Sequence, residues 1–516
     1  MLQLDIKNNT NPAISATVNV DKVKSWILST EVVAVFALVF AFVIRVIGAF
    51  HAPPLWIDET FTGALAAQPS FRDILNLARF DSPPVSYYLF MHVWQMAFGI
   101  SDAALRAPSF IISVVTPLII IFTKISGLSR SERLTWAALI ALWIPGIGFA
   151  VDARFYAALL MFSTIQTIAF QKLMSETSLA RACIWVSSAT FSMLSHYDAA
   201  YLVLAQGLVF ILVKRAEAFK TWPAIIFITP VIAEIIWKWK VLSHFAQIGT
   251  AWYPMLEPFD LITASLYILG GFGLGAVTWL LFTPLWLAII FLLGRFSPRL
   301  TGDVQATAMW WAVLSALVGC VLMIAVGFIR PTFTWRYLTP FEPGLVVGIL
   351  MIFRILAGQS RYVAYIGLMG IALISCKFWI QSGSDQSDSI VKSLSIAKAS
   401  SSLIEAGASS VVFAWDSPNT QNVEPRLLSA VGGFFFNRAH DPVKIIVVAL
   451  KSGTDPNAEL LKLAIPGNSS IIWLYDLSIR NTTAKRYPPD INLLDHNYSC
   501  KNFGEGLIGS LACHPD

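Results

Sequence analysis

Over most of this chain apolar residues do not alternate with polar ones but run together. From Ser25 to Ile380 the sequence is a succession of apolar stretches separated by short polar connections. Many approach or exceed the roughly 18–25 residues that carry an α-helix through the hydrocarbon of a bilayer. Such stretches fall at 26–50, 103–123, 134–150, 154–171, 181–195, 199–213, 222–240, 263–293, 306–328, 337–354 and 362–380. One more apolar run, 84–99, is short and ambiguous. The pattern predicts an all-α polytopic membrane domain over 26–381, with about 11–13 crossing helices. The segment 1–25 is polar and the first apolar run is long enough to span, so it reads as a cytosolic N-terminus and not as a cleaved signal.

The period changes after a polar linker, SGSDQSDS at 382–389. Beyond it come a helical stretch (390–406) and three short apolar runs rich in β-branched and aromatic residues, VVFAW (411–415), KIIVVAL (444–450) and IIWLY (471–475). Helix-like pieces separate them, which predicts a small C-terminal α/β domain over 390–516. It contains no glycine-rich phosphate loop, and it reads either as an appendage without chemistry or as a docking module.

Composition agrees with the pattern. Hydrophobic residues make up 56% of the 516 and charged residues 13%, about half the charged share of a soluble domain. A nucleic-acid partner is not expected. Cys183, Cys320 and Cys376 lie in or beside apolar runs and read as small buried hydrophobes. Cys500 and Cys513, in the polar tail, can pair if the tail faces an oxidising compartment.

Basic residues orient the chain. Lys124, Arg130 and Arg133 lie in one connection, Lys172 and Arg181 in the next of the same parity, then Lys214, Arg215 and Lys220, then Arg295 and Arg299, then Arg354 and Arg361. Strict alternation from 103–123 onward places all of them on one face, which the positive-inside rule assigns to the cytosol. Lys22 and Lys24 put the N-terminus there too, provided that 84–99 does not cross.

The unusual polar residues then gather at the opposite face. The first outer loop, 51–83, carries His51, Asp58, Glu59 and Asp81, with Tyr87 just beyond. Asp152 and Arg154 follow one segment end, His196, Tyr197 and Asp198 another, His244 a third, and Arg330 and Arg336-Tyr337 flank a fourth. A charge within hydrocarbon costs roughly 2.5–3.5 kcal/mol on insertion scales. Either each of these charges snorkels to headgroups separately, or together they line one hydrated cavity; the number of carboxylates among them favours a cavity. Asp58-Glu59 is its sharpest element: one adjacent carboxylate can act as a general base while the other holds a cation or the acceptor. The alternative for Asp58 is a helix cap.

At these residues the chain resembles the GT-C membrane glycosyltransferases, in the broad group of protein O-mannosyltransferases and the lipid A aminoarabinose transferase. The matching pieces are Asp58-Glu59, DSPPVSYY, FGISDAALRAPS (98–109), DARFYAALL (152–160), SHYDAAYL (195–202) and WRYLTPFEPG (335–344), in family order over about 30–355. The resemblance implies an inverting transfer of a sugar from a polyprenyl-phosphate donor to an acceptor on the non-cytosolic, periplasmic face of a bacterial inner membrane. The acceptor can be lipid A or lipopolysaccharide, another glycan, a lipid or a protein. By the same likeness Asp58 is the base, Glu59 supports it, and Asp152 is a second acid near the acceptor. Arg106, Arg154, Arg336, Tyr337 and His196 are the candidate donors to the leaving phosphate. No cofactor is required; if a divalent metal binds, as in some relatives, Asp81 and His244 are candidate ligands. Two places depart from the aminoarabinose enzymes: Phe61 stands where an arginine is usual, and Asp81-Ser82 where a lysine precedes the proline. The competing readings are a transporter or flippase of a lipid-linked sugar, and a membrane scaffold. No two-half repeat supports the first, and the intact Asp-Glu pair argues against the second.

Overall fold

The computed structural model describes residues 20–125, 127–248, 256–258, 304–330, 332–357, 370, 388–416, 424–441, 443–449, 458, 461–462, 469–476, 498–504 and 508–516. The expected segments 263–293 and 362–380 (residue 370 apart), and most of the 382–389 linker, lie outside the described residues.

The first long helix, α1 (Val20–Phe50), ends at a proline-containing turn that leads into α2 (Ile57–Ala66), α3 (Phe71–Ala78) and α4 (Val85–Phe98). Next come α5 (Asp102–Phe122), α6 (Arg130–Leu142), α7 (Ile144–Phe149), α8 (Tyr156–Ser175), α9 (Leu179–Ser195) and α10 (Ala199–Lys214). A short α11 (Ala216–Phe219) and a 3-10 turn precede α12 (Thr229–Ile248); α13 (Val304–Ile329) follows, then a 3-10 turn, Trp335–Phe341, that runs into α14 (Glu342–Ala357).

Among the described residues five helical stretches are long and apolar enough to cross a membrane, at Thr30–Phe50, Asp102–Phe122, Tyr156–Ser175, Thr307–Ile329 and Trp335–Phe353. The chain is a multi-pass membrane protein. The stretches differ in depth: 28% of the Thr30–Phe50 window is buried against 78% of the Tyr156–Ser175 window. Helix α1 therefore turns Val35, Phe36, Val39 and Phe42 outward, as a lipid-facing helix does, while α8 forms the centre of the bundle. The interior of α8 is polar as well as apolar: Gln166 and Trp185 both donate to the side-chain oxygen of Gln206, at 2.9 and 2.7 Å. Such bonds join helices where burial of apolar area cannot.

Two expected segments are not single helices. The run 134–150 breaks at Trp143, because Pro145 cannot continue the preceding hydrogen-bond ladder. The run 222–240 begins as a 3-10 turn and becomes α-helical only at Thr229. Helix α4 has 14 residues, about 21 Å of rise against the ~30 Å of a bilayer core. It packs on α2 and α3.

The C-terminal part is a mixed five-stranded sheet, in order β2-β1-β3-β5-β4, with helices α15 (Asp388–Glu405) and α16 (Pro425–Arg438). The strands are β1 (Ser410–Asp416), β2 (Lys444–Ala449), β3 (Ser470–Asp476), β4 (Tyr498–Asn502) and β5 (Ile508–Pro515). Strands β1, β2 and β3 are parallel, and β5 runs antiparallel to β3 and β4. Alternation splits β1: Val411, Phe413 and Trp415 join the core with Ile396, Leu403, Val431 and Phe434, and Val412 and Ala414 pack with Trp473 and Tyr475 on the other face. Cys500 and Cys513 stand opposite each other on β4 and β5 and form a disulfide.

Candidate active site

The turn before α2 and the turns before α5, α8, α10 and α14 meet at one end of the bundle, beneath the C-terminal sheet domain. Helix α2 takes Trp56 as its N-cap and begins at Ile57, so Asp58 lies in the first turn and does not cap the helix. That placement puts both acids of the pair at the positive end of the helix dipole.

The two neighbouring carboxylates have opposite environments. Glu59 is fully buried and accepts four hydrogen bonds. Arg106 grips it with both edges of its fork, Nε to Oε1 at 2.7 Å and Nη2 to Oε2 at 2.5 Å. The Trp56 and Ala153 amides donate to it at 3.0 and 2.7 Å. Arg106 also donates to the carbonyls of Pro53 and Pro54, at 2.6 and 3.3 Å. Glu59 and Arg106 thus tie the 53–56 turn, α2, α5 and the 152–155 turn together. Arg106, expected as a donor to the leaving phosphate, has its donors turned to Glu59 and to two backbone carbonyls.

Asp58 points the other way. Its side chain is 30% exposed, and Oδ2 lies 3.4 Å from Arg336 Nη1 and 3.9 Å from Arg154 Nη2. Arg154 also donates to the Asp58 carbonyl at 3.1 Å. The arginines are themselves held by rings: Arg336 lies over Trp56 and Tyr156, at 5.2 and 5.5 Å from the centroids, and Arg154 over Phe155 at 4.8 Å. Asp58 thus lies between two guanidiniums, hydrogen-bonded to Arg336 and further from Arg154.

Asp152 borders the same space. Its Oδ1 accepts the Trp56 indole N–H at 2.9 Å. Burial, and then the Glu59 charge, push its carboxyl up to about 7, against the pull of the indole and of Arg154 and Arg336. His196 and Tyr337 complete the wall: their rings are 4.5 Å apart, and His196 also packs on Phe155 at 5.0 Å. His196 Nδ1 is 3.2 Å from Asp198.

Asp81, one of the two candidate metal ligands, is bonded within the 81–88 segment. Its Oδ2 accepts from Tyr88 at 2.5 Å and its Oδ1 from the Ser82 amide at 2.9 Å. His244 lies on α12, but its side chain is outside the described residues. Among the described residues no three His, Cys, Asp or Glu side chains come together as a metal site.

The sequence reading missed the clamp behind Asp81. Lys238, fully buried on α12, donates to the carbonyls of Asp81 (3.0 Å) and Pro83, and lies 4.0 Å from Glu234 Oε1. Glu234 accepts from the Val85 amide at 2.6 Å and from Tyr197 at 3.0 Å. The available signal was the pair itself: opposite charges four residues apart inside an apolar run face each other on a helix.

No family model matches the sequence, and no curated protein matches it. Solved structures do. The structure is similar to ArnT from Cupriavidus metallidurans in the apo state, with TM-score 0.54, 11% identity, and coverage of 95% of this chain and 98% of that one. It is also similar to the same protein bound to undecaprenyl phosphate, with TM-score 0.53, 12% identity and the same coverage. The likeness spans the helical bundle and the C-terminal sheet domain together, and the chain has the fold of the GT-C membrane glycosyltransferases.

Proposed function

We propose that the protein is an inverting glycosyltransferase that moves a sugar from a polyprenyl-phosphate donor to an acceptor hydroxyl at the Asp58 site. The observation that carries this reading is the partly exposed Asp58 carboxylate set 3.4 Å from Arg336 and 3.9 Å from Arg154. Undecaprenyl phosphate, bound in one of the structurally similar proteins, is the kind of lipid phosphate that such a donor releases.

In this reading Asp58 accepts the proton as the acceptor O–H breaks and its oxygen bonds to the anomeric carbon. The bond from that carbon to the phosphate oxygen breaks on the opposite side, and its electron pair leaves with the polyprenyl phosphate. Arg336 and Arg154 stabilise the negative charge growing there, with Tyr337 and His196 lining the same wall. Glu59 and Arg106 act as positioning residues through α2. Asp152, with a carboxyl near 7, is matched to proton exchange at neutral pH; that value supports a second reading in which Asp152 takes the acceptor proton and Asp58 holds the arginines.

A location in a bacterial inner membrane, with the site and the C-terminal domain facing the periplasm, is supported by the basic loops at the far end of the bundle. The Cys500–Cys513 disulfide suits an oxidising compartment and so supports the same location. Lipid A or lipopolysaccharide, another glycan, a lipid and a protein are all acceptors compatible with a hydroxyl nucleophile. A lipid-linked sugar transporter is the weaker alternative, since the charged cluster lies at one end of the bundle and not at mid-depth. The test is mass spectrometry of envelope glycolipids and glycoproteins from cells with and without the protein, together with transfer from polyprenyl-phosphate sugars by the purified protein. Loss of one glycoform and transfer in vitro are expected; unchanged glycans and no transfer would reject the proposal.

A further inference from the structure

Helix α2 is held from two sides, and only one of them belongs to the membrane bundle. On the bundle side His92 Nδ1 meets the Ala66 carbonyl at 2.8 Å, and α2 lies along α4. On the other side α2 packs on α15 and α16 of the C-terminal domain. The Thr60 hydroxyl shares a buried hydrogen bond of 3.0 Å with the Ser393 hydroxyl. The Phe61 ring lies 6.2 Å from that of Trp415. A Cβ placed on Gly63 would meet Phe434 Cε2 and Cζ at 2.7 Å, so the aromatic edge occupies the space that a side chain would need. The Arg438–Asp102 ion pair, 2.5 Å long, closes the seam at the start of α5, one turn from Arg106.

Thr60 and Gly63 are three residues apart and share a helix face; all three α2 contacts lie within two turns of Asp58. The arginines that face Asp58 come from the turns before α8 and α14, not from α2. A shift of α2 against the bundle therefore changes the 3.4 and 3.9 Å separations, because the two arginines are carried by other elements. We infer that the C-terminal α/β domain is the positioning element of the active site, with Phe434 and Ser393 as positioning residues that seat α2 and so set Asp58 against the two arginines. The inference rests on the proposed glycosyltransferase reading for its kinetic consequence, but not for its structural one.

The test uses the full chain in nanodiscs and three variants. Gly63→Ala overfills the seat, Phe434→Leu relieves it, and Gly63→Ala/Phe434→Leu gives the added methyl the space the ring vacates. Gly63→Ala is expected to lower kcat on the order of 10–100-fold, as small misplacements of reacting groups do, with the donor KM nearly unchanged. The double variant should recover most of kcat, with every rate referred to the folded fraction so that a merely structural loss of folded protein does not register. Hydrogen exchange of peptides covering 57–66 should rise in Gly63→Ala and fall back in the double variant. Ser393→Ala, which removes only the hydroxyl partner of Thr60, gives the same sign of exchange change in a milder form if the other variants fail to fold. Wild-type kcat in Gly63→Ala, or a double variant no better than the single one, would overturn the inference. If the wild-type chain transfers no sugar, the proposed function falls, and exchange at 57–66 still decides the positioning claim: no change in any variant refutes it.

Discussion

Arg106 lies beside the site yet faces away from it, and replacing it separates the two roles an arginine there can have. Arg106→Met leaves Glu59 as a carboxylate whose side chain is 1% exposed, with only the Trp56 and Ala153 amides to hold it. Removing one partner of a buried ion pair costs about 3–5 kcal/mol, because the remaining charge is uncompensated. Arg106→Lys keeps the charge but loses the fork, and so should cost less, about 1–3 kcal/mol. In Glu59→Gln/Arg106→Met no charge is left buried, and the glutamine oxygen can still accept from Ala153. The expected order of stability is wild type, then Arg106→Lys, then the double variant, then Arg106→Met. The assay is thermal and chemical unfolding of detergent-purified protein, run beside sugar transfer on the same preparations. Arg106→Met as stable as the wild type but inactive would refute the reasoning. Arg106 would then act on the substrate, as a phosphate ligand does.

Three further outcomes follow from the same geometry. If ionised Asp152 is needed, the rate rises with pH through about 7; Trp56→Phe removes the indole bond that favours the charged form, so this limb should move to higher pH. Lys238→Met strips a buried clamp from the carbonyls of Asp81 and Pro83 and leaves Glu234 buried without its cation. A loss of roughly 3 kcal/mol or more is expected, with faster hydrogen exchange across 79–88; unchanged exchange there would remove the clamp. In a background without Cys183, Cys320 and Cys376, an impermeant thiol reagent added outside should label a cysteine at Val151 but not one at Arg215. The reverse pattern would invert the proposed orientation.

Much of the site was legible in the sequence because membrane insertion makes polar residues conspicuous. The carboxylates and arginines of the 58, 152–154 and 336 regions stand out against apolar surroundings, and parity alone places them at one end. Strands β1 to β3 were legible for a related reason, since buried parallel strands read as unbroken apolar runs. Strands β4 and β5 were not: YSCKN and IGSLACHP mix small, polar and proline residues, and only pairing with β3 and with each other makes them strands. The role of Arg106 was illegible because its partner Glu59 is 47 residues away, and an arginine reads the same whether its fork meets a phosphate or a carboxylate. The seat of α2 was hidden more deeply. Thr60 and Ser393 are 333 residues apart, and neither position carries a local pattern that announces the other. The C-terminal domain therefore read as an appendage or a docking module, and neither reading placed it on the face of the helix that carries Asp58.

The central claim is that this end of the bundle is a catalytic site organised on Asp58. Its most direct test is the initial rate of sugar transfer by wild type and Asp58→Asn in proteoliposomes, on protein of matched yield and stability. The asparagine keeps the shape but can neither accept the proton nor balance Arg336 and Arg154, and a loss on the order of 10²–10⁴-fold is expected. A rate near that of the wild type would contradict the account.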